Sequence, residues 1–192
     1  MGRGGAQDGA RGLCDIRLHQ YGYINIRRST QLIRAALRND LPRVLQLVQL
    51  GAPLDAVDMT YRDSALQWAC LEGHERVAEA LLDGKYEGRG AKIDCAVGAL
   101  TLLMRACERR HEGIVRLLLE RGARQEPQGE RVYTALHFAV SRNMPGIVAI
   151  LCGAAGAAAA FALRDVSGRT PLGLSIHRNH AACEAVLRAA MA

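Results

Sequence analysis

Thr134-Ala135-Leu136-His137-Phe138-Ala139 is the stretch that decides the fold of this chain, because versions of it recur along the sequence. Each version begins with a hydroxyl residue, has leucine two positions later and ends in a pair of mostly small residues. The hydroxyl residues that start the five copies are Thr30, Ser64, Thr101, Thr134 and Thr170, at steps of 34, 37, 33 and 36 residues. A phrase that recurs at a period near 33 predicts a solenoid of stacked helix pairs.

The repeated phrase resembles that of the ankyrin-repeat family, in five copies that leave only the N-terminal arm outside. The best matches are the segments 134–139, 165–172 and 73–82. The resemblance implies an all-α ankyrin-repeat solenoid of stacked helix-turn-helix units with hairpin fingers between repeats. We expect an N-terminal arm, partly disordered and partly capping, followed by a repeat domain. The expected ranges are 1–28 for the arm, 29–192 for the domain, and about 29–62, 63–97, 98–131, 132–165 and 166–192 for the repeats.

Composition fits a single helical domain with a basic surface. The chain has 192 residues, of which 49% are hydrophobic and only 4% aromatic, so closely packed helices are favoured over a β-sandwich. The formal net charge is +6, and Lys85 and Lys92 are the only lysines. Arginine therefore supplies nearly all of the positive charge, which suits acidic partners as well as an ordinary solvated surface.

The six cysteines show no CxxC spacing and no disulfide framework. Cys70 and Cys107 stand at the second small position of the phrase, so we interpret them as buried apolar residues. Free thiols and the lack of a secretory signal pattern predict a cytoplasmic or nuclear location.

The turn within each predicted helix pair needs a residue that tolerates positive φ. The residues at this position are Asn39, Gly73, Arg110, Asn143 and Asn179. Glycine and asparagine accept that backbone geometry, whereas Arg110 implies either local strain of about 1 kcal/mol or a reshaped turn.

Three segments depart from the repeat. The glycine-rich stretch 83–91 predicts a protruding loop, and 125–131 predicts a polar connector. The uncharged run 144–163 is long enough to span a membrane, but it is mostly alanine and glycine after Cys152. We therefore interpret this run as the second helix of its repeat with an alanine-rich extension.

The histidines and serines give no convincing catalytic or metal site. His74, His111, His137 and His180 occupy positions where the resemblance implies structural hydrogen bonds between neighbouring loops. A turn at Asn179 separates His177 from His180 and argues against a shared metal. Ser141 and Ser175 lack a neighbouring base with an orienting acid. We expect no catalysis, no metal and no cofactor.

One surface feature is informative. The second residue after each small pair is Arg38, Glu72, Arg109, Arg142 or Arg178, a set that we call the arginine lane. Residues directly before four of the phrase hydroxyls would flank it, namely Asp63, Leu100, Tyr133 and Arg169. Trp68 and Phe138 could add aromatic anchors, although burial between repeats is the favoured interpretation for both.

Two explanations of the lane stay open. A cation at a helix C-terminus gains about 0.3–1 kcal/mol from the helix dipole, which accounts for any single arginine. Alternatively, the lane lines a concave groove that takes an acidic extended or helical peptide through bidentate carboxylate contacts.

The sequence thus predicts a non-enzymatic protein-interaction module, monomeric when alone, that acts as an adaptor, scaffold or inhibitor subunit. One alternative is a membrane-tethered adaptor that uses Gly2, Cys14 or the run 144–163. Another is a nucleic-acid-binding protein that uses the arginine lane, which would show steep salt dependence. Both rank below binding of a protein partner.

Overall fold

The computed structural model describes residues 26–83, 90–94, 96–97, 100–125 and 133–192. Gly2, Cys14 and the rest of the predicted arm up to residue 25 lie outside this part of the chain. Most of the glycine-rich loop (84–89) and of the polar connector (126–132) also lies outside it. The expectations for these segments stay predictions.

Eleven helices and one short hairpin form the described part of the chain. The hairpin pairs strand β1 (Ala96–Val97) with strand β2 (Leu100–Thr101). The helices are α1 (26–37), α2 (Leu41–Gln49), α3 (Ala65–Leu71), α4 (Glu75–Leu82), α5 (Leu102–Glu108), α6 (Glu112–Glu120), α7 (Ala135–Ser141), α8 (Pro145–Gly153), α9 (Ala157–Ala162), α10 (Pro171–His177) and α11 (Ala181–Met191).

The helices form two layers of a solenoid. Helix α3 packs on α5, α5 on α7, and α7 on α10, which makes a row of inner helices. Helix α1 is the first helix of the first pair, and a hydrogen bond between His74 and its Leu37 carbonyl joins it to the second pair. Helix α2 packs on α4, α4 on α6, α6 on α8, and α8 on α11, which makes the outer row. The predicted all-α repeat solenoid is confirmed, and the core runs through it as one continuous hydrophobic cluster.

The phrase hydroxyls start four of the inner helices. Ser64, Thr101, Thr134 and Thr170 are N-caps whose side-chain oxygens accept a hydrogen bond from the backbone N–H three residues later. Thr30 differs, because it lies inside α1 and donates its hydroxyl hydrogen to the carbonyl of Ile26 at 2.9 Å. The predicted boundary between residues 28 and 29 therefore falls within a helix.

The predicted turns adopt the left-handed conformation. The φ angles are 57° at Asn39, 74° at Gly73, 61° at Arg110, 52° at Asn143 and 55° at Asn179. Arg110 thus carries the backbone strain that the sequence indicated. This geometry reverses the chain between the inner and outer helix of each pair.

The uncharged run 144–163 is divided between α8 and α9, which are separated by a turn at Gly156 with φ of 86°. Ala157 and Ala160 of α9 are buried, and Phe161 packs against the core. Among the described residues, no helix has the length and apolar character that crossing a bilayer requires.

Candidate partner-binding surface

The five residues of the arginine lane occupy one structural position. Each residue ends an inner helix, and its backbone N–H donates to the carbonyl of the residue four positions earlier, at 3.0–3.2 Å. All five are exposed. Because the inner helices pack side by side, the lane brings together residues that are far apart in sequence.

The lane arginines have few partners within the protein. Arg142 lies 5.4 Å from the centre of the Phe138 ring and forms a long ion pair with Glu108 at 3.8 Å. Arg178 donates to the carbonyl of Ser141 at 3.4 Å. The guanidinium of Arg109 makes no hydrogen bond or ion pair with the described residues. Most of the donors in the lane are therefore available to a partner.

A second row of side chains lies one helical turn before the lane. Residues four apart share a helix face, so this row runs beside the lane. Its members are Arg34, Trp68, Arg105, Phe138 and Leu174. Phe138 and Leu174 are buried, at 8% and 3% exposure, whereas Trp68 is half-buried. Burial was the favoured interpretation of the two aromatic residues, and Trp68 follows it only in part.

Two of the residues that were expected to flank the lane, Asp63 and Leu100, are held by contacts within the fold. Asp63 is 2% exposed, and its carboxylate accepts a hydrogen bond from Arg105 Nη1 at 2.5 Å, so an ion pair within the protein holds it. Leu100 is half-buried in β2 and packs against the core. Both residues therefore make contacts within the fold and offer little surface to a partner.

The other two flanking residues are half-buried at the fifth repeat's side of the stack. The ring of Tyr133 stacks on His137 at 5.6 Å and meets Phe138 edge-on at 6.4 Å. The carbonyl of Arg169 accepts a hydrogen bond from His137 Nε2 at 3.0 Å. Both residues therefore contact His137, a residue of helix α7.

Fingers between repeats were expected, but residues 57–62 of the finger at 57–64, which we call the first finger, were not among the predicted site residues. Val57 and Ser64 form a β-bridge, and the carboxylate of Asp58 accepts hydrogen bonds from the backbone N–H groups of Thr60 and Tyr61. Trp68 Nε1 donates to the second oxygen of Asp58 at 2.9 Å. The sequence signal for this turn is Asp58 two positions before Thr60, because an aspartate side chain can accept from the backbone N–H two residues later.

These hydrogen bonds act on the carboxylate of Asp58. Partial burial raises its pKa, but hydrogen bonds from Tyr61, Trp68 and Thr60 together outweigh that effect. The net result is that the pKa of Asp58 lies below its ordinary value. The finger is thus built around an ionised side chain.

Histidines join neighbouring repeats, as the sequence indicated. His74 bonds the carbonyl of Leu37 at 3.2 Å, His111 that of Leu71 at 3.0 Å, and His180 that of Val140 at 2.8 Å. Each of these histidines is the N-cap residue of its outer helix. Met144 holds the corresponding place before α8 and cannot form such a bond.

The repeat-phrase histidine is fully buried. His137 Nδ1 lies 2.8 Å from the Thr134 hydroxyl oxygen, while Nε2 faces the carbonyl of Arg169. Desolvation lowers the pKa of His137, against the opposing effects of the Arg169 hydrogen bond and the charge of Asp165. The neutral ring with a proton on Nε2 satisfies all these contacts.

The reactive side chains of the described residues have structural roles. Ser141 and Ser175 donate to helix carbonyls, at 2.9 and 2.7 Å. Burial raises the pKa of Cys107 to about 12 and that of Cys152 to about 11, so both thiols stay protonated at neutral pH. No group of three or more potential metal ligands occurs in the ranges that the structure covers.

A cavity of about 440 Å³ opens between the outer helices α6 and α8. Its lining is mainly alanine, glycine and aliphatic residues, with Arg116 and Glu120 on one wall. These two charges sit one turn apart on α6 and cancel, so the cavity offers little directional chemistry. The inner-helix surface is the stronger candidate site.

Comparison with known families agrees with this geometry. The sequence model described as Ankyrin repeats (3 copies) matches residues 32–129, about half of the chain. None of the curated proteins matches the chain. The matched segment runs from α1 through α6, and the following helices continue the same two rows. The chain belongs to the ankyrin-repeat family.

Proposed function

We propose that this protein is a non-enzymatic recognition module that binds an acidic segment of a protein partner along the arginine lane. Ankyrin repeats generally mediate protein–protein interaction. In a repeat fold, the side chains on the rigid surface determine what is bound. The observation that carries the proposal is the recurrence of arginine at the end of four of the five inner helices.

The chemistry of the lane favours carboxylates. Guanidinium groups bind carboxylates through two parallel hydrogen bonds, which is more specific than the point charge of lysine. Helix-dipole stabilisation explains any single arginine, but it does not require the unused donors of Arg109. Nor does it require the position of Arg142 over Phe138, where the ring holds the guanidinium in place.

We assign the protein a role as an adaptor, scaffold or inhibitor subunit that acts as a monomer in the cytosol or nucleus. The described cysteines Cys107, Cys152 and Cys183 are free thiols, which fits a reducing compartment. The row of aligned inner helices offers one long surface to a partner segment and needs no second copy to complete it.

Charge reversal tests the proposal directly. We expect Arg109→Glu with Arg142→Glu to weaken binding of a short labelled peptide, carrying glutamate at every third position, by about tenfold or more. The matched control is Arg76→Glu with Arg116→Glu, because both residues are exposed on outer helices and the net charge changes equally. Fluorescence anisotropy measures both affinities, and circular dichroism checks folding. Equal affinities for the two double variants would refute the assignment of the lane.

A further inference from the structure

The first finger displays an unusual amount of apolar surface. Val57, Met59 and Tyr61 are 45%, 97% and 64% exposed within this one turn. Burial of a large apolar side chain stabilises a fold, so leaving Met59 and Tyr61 in water forgoes that stabilisation. Exposed apolar side chains grouped on an ordered segment are typical of interaction sites.

The first finger is also ordered rather than loosely attached. The Asp58 carboxylate holds the turn from inside, and Asp58 N–H donates to the carbonyl of Asp63 at 3.0 Å. The Tyr61 ring meets the Trp68 ring edge-on, with centroids 5.5 Å apart. Tyr61 is thereby fixed beside the half-buried indole, and the two rings make a firm apolar face at α3.

Comparison with the last finger, residues 165–170, shows what is particular to the first. Asp165 accepts hydrogen bonds from Ser167 N and Arg169 N, as Asp58 does from its own turn. The last finger is one residue shorter between the aspartate and the helix cap, and Gly168 takes its left-handed position, with φ of 73°. The first finger keeps Arg62 there, with φ of 59°, a conformation that is strained for a residue with a Cβ atom.

Charge divides the groove into two parts. The lane residue on α3, the helix that the first finger leads into, is Glu72; Arg38 precedes it in the lane, and Arg109, Arg142 and Arg178 follow it. An acidic segment is repelled at Glu72 and attracted along the three arginines of repeats three to five. The surface around Glu72 therefore suits a part of the partner that carries no acidic side chain.

Building on the proposed function, we propose that the acidic partner segment also carries a large apolar side chain, which packs on Met59, Tyr61 and Trp68. The acidic residues then lie across repeats three to five. Helices in contact are about 8–10 Å apart, and an extended chain advances about 3.3 Å per residue. Each repeat thus corresponds to about three residues of an extended partner. The matching pattern is one apolar residue and then acidic residues at every third position.

Five synthetic peptides and two protein variants test this inference. The parent peptide has leucine followed by glutamate at every third position, and it is made in both chain directions. The other peptides replace leucine with serine, the glutamates with glutamine, or both. The protein variants are Met59→Ser with Tyr61→Ser, and the control Val166→Ser, which alters an 82% exposed apolar residue of the last finger.

We expect loss of the leucine to weaken binding to the unaltered protein about tenfold. For the Met59→Ser, Tyr61→Ser variant, loss of the peptide leucine should weaken binding less than twofold. For the Val166→Ser control, it should weaken binding about tenfold, as for the unaltered protein. An equal leucine effect in all three proteins, or no leucine effect, would overturn the inference. The difference in affinity between the glutamate peptide and the glutamine peptide reports separately on the arginine lane. Equal affinities of these two peptides for the unaltered protein would count against the proposed function itself. Light scattering measures the oligomeric state of the unaltered protein and of the Met59→Ser, Tyr61→Ser variant. If the unaltered protein is a dimer and the variant a monomer, a second copy of the chain covers the first finger and the inference is overturned.

Discussion

The ion pair between Asp63 and Arg105 gives the sharpest test of how the groove is held together. Asp63 precedes the cap of α3, Arg105 lies on the next inner helix α5, and their charged groups are 2.5 Å apart. Their side chains are 3% and 21% exposed. Removing one member of a fully buried pair costs about 3–5 kcal/mol, and an exposed pair contributes about 0.2–1 kcal/mol. Since Arg105 keeps some contact with water, we expect Asp63→Asn to destabilise the protein by about 2 kcal/mol.

Urea unfolding followed by circular dichroism measures this loss. With an m-value of about 2 kcal/mol/M, the midpoint should fall by about 1 M. Asp55→Asn is the matched control, because Asp55 pairs with Lys92 at 3.8 Å with side chains 48% and 79% exposed. That control should shift the unfolding free energy by less than about 0.5 kcal/mol.

The cost arises from an arginine left without its counter-charge. Adding Arg105→Met to Asp63→Asn should therefore restore part of the lost stability. If Asp63→Asn unfolds at the same urea concentration as Asp55→Asn, the pair does not support the first finger and this reasoning fails.

Two further predictions concern His137 and the left-handed turns. Because the pKa of His137 is lowered on folding, the unfolded chain binds the proton more readily, and stability should decrease as the pH falls below about 6.5. Thermal midpoints at pH 7.5 and 5 should reveal this loss, and His137→Gln should reduce it, since Gln67 caps α3 from the same position. We expect Arg110→Gly to raise the unfolding free energy by about 0.5–1 kcal/mol. By contrast, Gly73→Ala should lower the urea midpoint, because φ is +74° and a Cβ would lie 2.8 Å from the His111 ring.

The fold could be predicted because its determinants are local and repeated. The phrase hydroxyl accepts a hydrogen bond from the N–H three residues later and so caps the inner helix in four of the copies. The leucines at the third phrase position are buried at Leu32, Leu66, Leu103 and Leu136. Thr30 does not begin its helix as the other phrase hydroxyls do, because the first helix begins upstream at residue 26. The phrase carries no information about that extension.

The candidate site was only partly predictable. The lane follows from counting, since the end of each inner helix has a fixed offset from its cap. Asp63 and Arg105 are 42 positions apart, and the sequence around neither residue predicts their ion pair. The exposure of Met59 likewise depends on hydrogen bonds that close the turn around Asp58. Tertiary contacts decided these two features.

The joint between the third and fourth helix pairs shows how the lane stays aligned. Histidine–carbonyl bonds connect other neighbouring pairs, but Met144 stands at the corresponding place here and is 5% exposed, packed in the core. Gly146 leaves room for Glu112, whose carboxylate would lie 2.5 Å from an added Cβ. Gly113 accommodates Glu75 in the same way at the preceding joint, so the packing of Met144 in the core is what replaces the loop hydrogen bond here. Because Arg109 and Arg142 lie on either side of the joint, helix packing sets the spacing between the two arginines that the charge-reversal experiment addresses.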